Sequence, residues 1–183
     1  MNNNHYEIKI AGNGGQGILL LSEIIAEACG TYEKKEIVLT KEYGPESRGG
    51  SSTATLIIDN QEILYPFSQE LDCILALTQK SFDEFSSQLK SDGIIIVDST
   101  HLNIEKKQRS YLYCIPITQL TKDLTGDTKN TNIISLGVIT ALTGIVNPNT
   151  INLVLKKTFT NNFELYLEYF TAGYELAQRI KKI

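Results

Sequence analysis

The segment Gly12-Asn13-Gly14-Gly15-Gln16-Gly17 lies where an apolar strand pattern gives way to a helical one. Residues 6–11 alternate in polarity as a strand does, and from Ile18 onward apolar residues recur at helical spacing. Glycine permits positive φ and the close approach of another group, and the free amides of a helix start attract anions such as phosphate. The segment therefore predicts a strand, a tight turn and a helix with an anion-binding loop between them.

Gly12, Gly14 and Gly17 match the G-x-G-x-x-G dinucleotide pattern in the strand-to-helix context that the pattern requires. Two alternatives stay open: the glycines serve only close packing, and Gln16 either donates to a ligand or caps the helix. A second strand is predicted at 36–40, closing a βαβ unit. A dinucleotide fold ends that strand on an acidic ribose ligand, whereas Glu42 opens the next loop and is a poor candidate for this role.

A second glycine-bearing loop follows, with the sequence Tyr43-Gly44-Pro45-Glu46-Ser47-Arg48-Gly49-Gly50. It holds a carboxylate and a guanidinium two residues apart, between a Gly-Pro turn and a Gly-Gly pair. Arg48 can bind a phosphate or carboxylate with two parallel hydrogen bonds. The alternative is that Glu46 and Arg48 pair with neighbouring groups and fix the loop.

The rest of the chain alternates strand and helix patterns. Residues 51–59 and 62–65 predict an antiparallel hairpin around Asn60-Gln61, and further strands are predicted at 73–77, 94–97 and 111–115. Helices are predicted at about 80–89, from Thr118 as a cap to Gly126, from Asn132 to Gly144, from Asn147-Pro148 to about 157, and over an amphipathic C-terminal stretch with an aromatic stripe. Asn132 is predicted to be the N-cap of its helix, with ligand binding as the alternative. The aromatic stripe packs either on this domain or on a partner, and both possibilities stay open. The pattern predicts an α/β fold over residues 1–183: a single Rossmann-like three-layer domain with a mostly parallel sheet, an added antiparallel hairpin and C-terminal helices.

Composition excludes several classes of protein. A formal net charge of −4 argues against a nucleic-acid partner, and the chain has neither a signal-peptide pattern nor an apolar run of membrane-spanning length, so we expect a cytoplasmic protein. Cys29, Cys73 and Cys114 are too far apart in sequence for a cluster motif and are expected to be buried core thiols. His5 and His101 offer no metal pair, so we expect no metal site and no catalytic residue in this chain.

The two glycine loops, in this order, resemble those of the γ subunit of thiamine-diphosphate-dependent 2-oxoacid:ferredoxin oxidoreductases. The resemblance covers nearly the whole chain and includes Ile63-Leu64-Tyr65-Pro66, the run 72–79, Asn132 with Leu136-Gly137, and Phe170-Thr171-Ala172-Gly173-Tyr174. The form of the second loop is most similar to the 2-oxoglutarate branch. Pyruvate and branched-chain 2-oxoacid versions stay open.

The resemblance implies a division of labour between subunits. Thiamine diphosphate, Mg²⁺ and [4Fe–4S] clusters would belong to α and β subunits, with δ as a further partner, and ferredoxin would be the electron acceptor. This chain would be an accessory subunit on the coenzyme A side. The ligand-binding residues expected from the two loops are Gly12, Gly14, Gly15, Gln16, Gly17 and Arg48, and the residues expected to contact a partner or ligand are Tyr43, Gly44, Pro45, Glu46, Gly49 and Gly50.

Two other functions remain from the residues alone. A free-standing NAD(P)-binding enzyme is favoured by the glycine pattern and disfavoured by the missing ribose acid. A small phosphate-binding regulatory protein would also use such a loop.

Overall fold

The computed structural model describes residues 5–44, 50–68, 70–102 and 112–181. The chain forms six strands in this part, β1 (His5–Asn13), β2 (Glu36–Tyr43), β3 (Ser51–Asp59), β4 (Leu71–Ala76), β5 (Leu89–Asp98) and β6 (Leu112–Ile115). The α-helices are α1 (Ile18–Glu27), α2 (Gln79–Phe85), α3 (Ile117–Thr125), α4 (Thr131–Thr143), α5 (Pro148–Thr158) and α6 (Phe163–Lys181). A π-helical turn, Ala28–Tyr32, follows α1, and a 3-10 turn, Ser86–Gln88, follows α2.

All six strands belong to one sheet with the order β2-β3-β1-β4-β5-β6. The pairs β1–β4, β4–β5 and β5–β6 are parallel, whereas β3 runs antiparallel to both of its neighbours, β1 and β2. Five strands thus point one way, and their carboxyl ends lie along one edge of the sheet. The predicted α/β class with a mostly parallel sheet is confirmed.

The antiparallel hairpin lies one strand earlier than the sequence predicted. It joins β2 to β3 through the second glycine loop, with Tyr43 opposite Ser52. Residues 62–65 form no strand, because the chain turns away after β3, where the Asp59 carboxylate accepts a hydrogen bond from the Gln61 amide at 2.9 Å. Leu64, expected in the second arm, is 85% exposed.

The predicted βαβ unit is wrong in one respect. β2 runs parallel to β1, but β3 lies between the two strands along its whole length, from His5 opposite Asp59 to Asn13 opposite Ser51. Alternation of elements along the sequence does not reveal such an insertion, because strand pairing depends on contacts between distant residues.

Two hydrophobic cores lie on opposite faces of the sheet. The larger core packs α1, α4, α5 and α6 against one face, on which Ile8, Ile10, Leu56 and Leu75 are fully buried. The smaller core is formed by α2, through Phe85, against Ile74, Ile95 and Val97 on the other face of β4 and β5. These side chains alternate along each strand, as a sheet covered on both faces requires.

The aromatic stripe of the C-terminal helix packs inside the domain. Tyr169 and Phe170 are 7% and 3% exposed, and α6 lies against α4. The helices approach so closely that a Cβ built on Gly137 would lie 2.1 Å from the Phe170 carbonyl oxygen, and one on Gly173 would lie 2.1 Å from that of Ile134. Gly137 and Gly173 together therefore allow this contact.

Some of the predicted helix ends are confirmed by the structure and others are wrong. Asn147 caps α5 by accepting from the Asn149 amide at 2.9 Å, with Pro148 at the first position, and Gly144 ends α4, as predicted. Thr118 is not a cap, because α3 begins at Ile117. The helix predicted at 80–89 ends earlier, since Leu89 already pairs with Leu71 in the sheet, and Tyr111 lies outside the described residues.

Candidate functional site

The glycine loop, residues 12–17, connects the carboxyl end of β1 to the amino end of α1. Its turn is closed by the Gln16 amide, which donates to the Asn13 carbonyl at 3.2 Å. The Gln16 side chain accepts from the Asn13 amide at 2.6 Å, so the open question about Gln16 is answered in part: its oxygen holds the loop instead of capping the helix. Asn13, Gly14 and Gly15 are exposed, which leaves the loop open to solvent.

A side chain at three glycines of the loop would strain the backbone or displace a neighbour. Gly15 and Gly17 have φ of 92° and 70°, which side chains other than glycine adopt at a cost. At Gly12 the reason is space, because a Cβ would lie 2.5 Å from the Gln16 oxygen.

The amino end of α1 is available to an anion. Gly17 is the N-cap residue and brings no side chain to the free amides, and the first turn of α1 contains no acidic residue. The positive end of the helix dipole therefore faces the loop without internal neutralisation, which is the usual setting for binding phosphate.

The structure brings the two glycine loops together. The Gly14 amide donates to the Gly50 carbonyl at 2.7 Å, and the Gly44 amide donates to the Ser51 carbonyl at 2.7 Å where the second loop leaves β2. Tyr43 is 73% exposed at this edge. Pro45, Glu46, Ser47, Arg48 and Gly49 lie outside the described residues, so the roles of Pro45, Glu46, Arg48 and Gly49 stay predictions.

The glycine loop lies at a reversal point of the sheet. β1 and β4 are adjacent and parallel, but α1 leaves β1 toward the large core and α2 leaves β4 toward the small one. The residues that follow β4 lie next to the glycine loop, since the Leu77 amide donates to the Ala11 carbonyl at 2.9 Å. Ligands of open α/β sheets bind in the crevice that such a divergence creates.

The dinucleotide interpretation fails at the neighbouring strand. In a dinucleotide fold the parallel strand beside β1 ends on the ribose acid, whereas here that neighbour is the antiparallel β3. Glu42 accepts a hydrogen bond from the Thr53 hydroxyl at 3.0 Å, which gives this carboxylate a structural partner.

The prediction that Asn132 is the N-cap of α4 is wrong. The N-cap position of α4 belongs to Asn130, so Asn132 lies inside the first turn. It is 5% exposed and packs against Gly17: a Cβ on that glycine would lie 2.5 Å from Asn132 Nδ2. Its polarity at a buried helical position was the available signal, but no local pattern pairs it with Gly17.

A buried carboxylate at the end of β5 has a structural role. Asp98 is fully buried and accepts from the amides of Thr100 and Thr118, each at 3.1 Å, and from the Thr118 hydroxyl. These bonds tie the start of α3 to the sheet, which explains why Thr118 lies inside the helix.

A cavity of about 630 Å³ lies beside the amino end of α5 and away from the glycine loop. Its two ammonium groups are engaged by backbone carbonyls: Lys35 donates to Ile145 at 2.7 Å and Lys181 to Leu142 at 3.1 Å. Both lysines therefore cap the end of α4 and the residues that follow it.

Two of the three cysteines are buried in the core, as predicted. Cys29 and Cys73 are fully buried, and Cys114 is partly exposed. Burial raises the pKa of the Cys29 thiol to about 12 and also raises that of Cys73. Among the residues that the structure describes, no group of three His, Cys, Asp or Glu side chains is placed to hold a metal ion, and no helix is long and apolar enough to cross a bilayer.

Fold and loop together define an α/β protein with an exposed glycine loop and an uncapped helix start at a sheet reversal point. Residues 7–176 match the family described as pyruvate ferredoxin/flavodoxin oxidoreductase, and the chain belongs to this family. The resemblance drawn from the two glycine loops is thus confirmed.

Individual relatives agree with the family. The chain is 32% identical to the 2-oxoglutarate synthase subunit KorC of Methanocaldococcus jannaschii, over 95% of each chain. It is similar to the crystal structure of the keto/oxoacid ferredoxin oxidoreductase γ subunit of Geobacter sulfurreducens, with a TM-score of 0.79 and 34% identity over 95% of this chain and 99% of that one. Its fold also matches 2-oxoglutarate:ferredoxin oxidoreductase of Magnetococcus marinus, solved with 2-oxoglutarate, coenzyme A and succinyl-CoA bound, with a TM-score of 0.88 at 22% identity over 97% of this chain and 32% of that one.

Proposed function

We propose that this chain is the γ-type subunit of a thiamine-diphosphate-dependent 2-oxoacid:ferredoxin oxidoreductase. The assembled enzyme converts 2-oxoglutarate, coenzyme A and two oxidised ferredoxins into succinyl-CoA, CO₂, a proton and two reduced ferredoxins. The observation that carries the proposal is the likeness to a 2-oxoglutarate synthase subunit along 95% of both chains. Pyruvate or a branched-chain 2-oxoacid is the alternative substrate, favoured by the pyruvate-based description of the family.

Within this complex the chain acts on the coenzyme A side. Its partners, the α and β subunits and in some assemblies δ, carry thiamine diphosphate, Mg²⁺ and the [4Fe–4S] clusters. These cofactors decarboxylate the 2-oxoacid and pass its electrons one at a time to ferredoxin. What this chain contributes is an anion-binding loop, and coenzyme A is the polyanionic reactant.

The residues proposed to bind coenzyme A are those of the segment 14–17 together with Arg48. The Gly14 and Gln16 amides donate to the Gly50 and Asn13 carbonyls, whereas the amides of Gly15 and Gly17 have no backbone partner among the described hydrogen bonds. Support comes from the free amino end of α1 and from the hydrogen bond between Gly14 and Gly50, which joins the two loops. Arg48 precedes Gly50 by two residues in the sequence, and a guanidinium suits phosphate because it donates two parallel hydrogen bonds.

The assignment is tested by purifying the tagged chain from its native cell under anaerobic conditions. Recovery of a thiamine-diphosphate subunit, together with 2-oxoacid-dependent reduction of a dye, is the expected result. A panel of 2-oxoglutarate, pyruvate and branched-chain 2-oxoacids then identifies the substrate. Recovery of the chain alone, without activity toward any 2-oxoacid, contradicts the proposal.

The binding site is tested by titrating the assembled complex with coenzyme A in a calorimeter. Arg48→Ala is expected to weaken binding at least about tenfold, because it removes charge-assisted hydrogen bonds to phosphate. Arg179→Ala is the control, since Arg179 lies on α6 with 78% of its side chain exposed and pairs with Glu175. Equal affinities of the Arg48 variant and the wild type would remove Arg48 from the site.

A further inference from the structure

Exposed apolar side chains gather on the segment that connects β3 to β4. Leu64, Tyr65 and Phe67 each have more than half of their surface exposed. The rings of Tyr65 and Phe67 lie edge to face with their centres 5.4 Å apart, and neither ring belongs to the two hydrophobic cores. Exposed aromatic groups that lie together in this way mark surfaces that another protein covers.

The two rings form one wall of a cavity of about 510 Å³. His5, Glu7, Glu70 and Lys90 form the other walls, at the edge of the sheet where β1 and β5 begin. The glycine loop lies at the opposite edge, where β1 ends. The cavity is therefore separate from the site proposed for coenzyme A.

The cavity has an excess of negative charge, because its two basic side chains are already bound to carboxylates. The Lys90 ammonium lies 2.8 and 2.9 Å from the two carboxylate oxygens of Asp72. His5 lies between two carboxylates, with Nδ1 at 2.8 Å from that of Asp59. The Glu70 carboxylate makes no ion pair with any described residue. The cavity thus favours a cation that the described part of the chain does not supply.

Aromatic rings beside a carboxylate favour one kind of cation. A guanidinium stacks on an aromatic face and donates two parallel hydrogen bonds to a carboxylate, whereas an ammonium is a compact and strongly hydrated charge. The cation–π contact recorded among the described residues is elsewhere, with the Lys9 ammonium 4.5 Å from the centre of the Phe85 ring. Arginine and aromatic residues are also enriched together at protein interfaces. An arginine side chain of another protein therefore fits this cavity.

We propose that Tyr65, Phe67 and Glu70 form a docking surface for a partner chain, which inserts an arginine side chain between the two rings and the carboxylate. Apolar residues beside that arginine cover Leu64. The choice of an arginine follows from the cavity, whereas the identity of the partner as another subunit of the 2-oxoacid:ferredoxin oxidoreductase rests on the proposed function.

The first test titrates the ¹⁵N-labelled full chain, at low concentration, with N-acetylarginine amide as the probe. The backbone amide signals of Tyr65, Phe67 and Glu70 are expected to shift and to reach saturation. N-acetylcitrulline amide has a similar shape without the charge and is expected to bind at least about tenfold more weakly, because it loses charge-assisted hydrogen bonds. Equal affinities for the two probes, or no shift at these residues, would overturn the inference.

A matched pair of substitutions tests the carboxylate. Glu70→Gln keeps the shape of the side chain and is expected to weaken binding of N-acetylarginine amide about tenfold. Glu62→Gln removes the same charge at an exposed position of the same connecting segment that does not line the cavity, and it is expected to bind as the wild type does. Equal binding by the two variants would contradict the role of Glu70.

The partner is identified by photo-cross-linking from the exposed ring. A tagged chain with Tyr65→p-benzoylphenylalanine is produced in its native cell, and its complex is purified and irradiated. The expected product joins residue 65 to an arginine-containing peptide of a different polypeptide. A cross-link to a second copy of this chain, or to a peptide without arginine, would overturn the inference.

The docking surface and the proposed function can fail separately. A cross-linked arginine peptide from a protein that is not an oxidoreductase subunit would refute the proposed function and leave the surface standing. An active oxidoreductase complex whose chain does not distinguish the arginine probe from the citrulline probe would refute the surface and leave the function standing.

Discussion

Gly17 is fixed by its backbone and by its neighbour at the same time. Its φ of 70° belongs to the left-handed region, and the space over its Cα is taken by the Asn132 amide. Gly126 has a similar φ of 78° at the end of α3, but a Cβ there would meet nothing within 4 Å. Substitutions at Gly17 and Gly126 can therefore separate the free-energy cost of a left-handed backbone from the cost of displacing a neighbouring side chain.

Gly17→Ala is expected to lower the free energy of unfolding by about 2–3 kcal/mol, of which about 1 kcal/mol is left-handed strain and the rest displacement of Asn132. Gly126→Ala is the control and is expected to lose about 1 kcal/mol. Urea unfolding measures both. Equal losses at the two positions would show that Asn132 does not press on Gly17.

His5 bridges two strands through its side chain. Nδ1 lies 2.8 Å from the Asp59 carboxylate and Nε2 lies 2.9 Å from that of Glu7. Burial acts to lower the pKa of His5, but the hydrogen bonds to Glu7 and Asp59 outweigh it and raise the pKa above its ordinary value. The folded chain therefore holds the proton on His5 more tightly than the unfolded chain does.

A raised folded-state pKa means that this stabilisation is fully present below the unfolded pKa of about 6.5 and is lost as the pH rises through the folded value. We expect His5→Gln to cost about 0.5 kcal/mol at pH ~5.5 and less at pH ~8.5, a small effect because the side chain is 44% exposed. Urea unfolding of both proteins at the two pH values measures it. A difference that grows with pH would contradict the assignment.

What the sequence revealed of the site was its local part. The glycine pattern, its place after a strand and the free helix start are properties of neighbouring residues, and each was predicted. The contact of Asn132 with Gly17 and the bond from Gly14 to Gly50 join residues far apart in sequence. Such contacts depend on the packing of α4 and on the pairing of β1 with β3, which no local pattern encodes.

At the level of elements, the crossing of α4 and α6 depends on a pair of glycines. Gly137 and Gly173 each face the backbone of the other helix, so a methyl group on either would meet a carbonyl oxygen at 2.1 Å. Backbone cannot move aside as a side chain does, so the helices would have to separate and open the core around Phe170.

Gly173→Ala is expected to destabilise the protein by about 3 kcal/mol or more, because separation of the helices costs more than ordinary overpacking. Thr171→Ala, at an exposed position two residues away on α6, is expected to change the unfolding free energy by less than about 0.5 kcal/mol. Thermal and urea unfolding compare the two. A stable Gly173→Ala protein would mean that α4 and α6 do not cross this closely.

The strands show where pattern reading succeeds and fails. Continuous apolar runs predicted β4 and β5, because strands buried on both faces have no polar side to show. The sequence analysis wrongly predicted residues 62–65 as the hairpin partner of β3, because their side chains alternate as in a strand. The hairpin partner of β3 is β2, which lies before the second glycine loop. A hairpin with a long, glycine-bearing loop resembles two unrelated strands in sequence.

At the scale of the whole molecule, exposed apolar side chains gather on one segment. Leu64, Tyr65 and Phe67 are 85%, 58% and 67% exposed, and the rings of Tyr65 and Phe67 lie 5.4 Å apart. Exposed groups of this kind commonly mark surfaces that contact other proteins. The aromatic face of α6, which was an open candidate for a subunit contact, is instead part of the core.

The isolated chain is expected to self-associate at high concentration through this segment. A Tyr65→Ser, Phe67→Ser double variant should remain monomeric over a wider range, whereas Leu153→Ser, which changes a 53% exposed residue of α5, should behave as the wild type. Light scattering during size-exclusion chromatography measures the mass. A wild-type chain that is a single monomer at every concentration would contradict the expectation.

The central claim is that this chain supplies the coenzyme A side of a 2-oxoacid:ferredoxin oxidoreductase. The most direct measurement is the rate of viologen reduction by the complex assembled with and without the chain, at saturating 2-oxoglutarate and varied coenzyme A. We predict that reduction dependent on coenzyme A requires the chain and is restored when the purified chain is added back. An equal rate with an equal KM for coenzyme A in its absence would contradict the account.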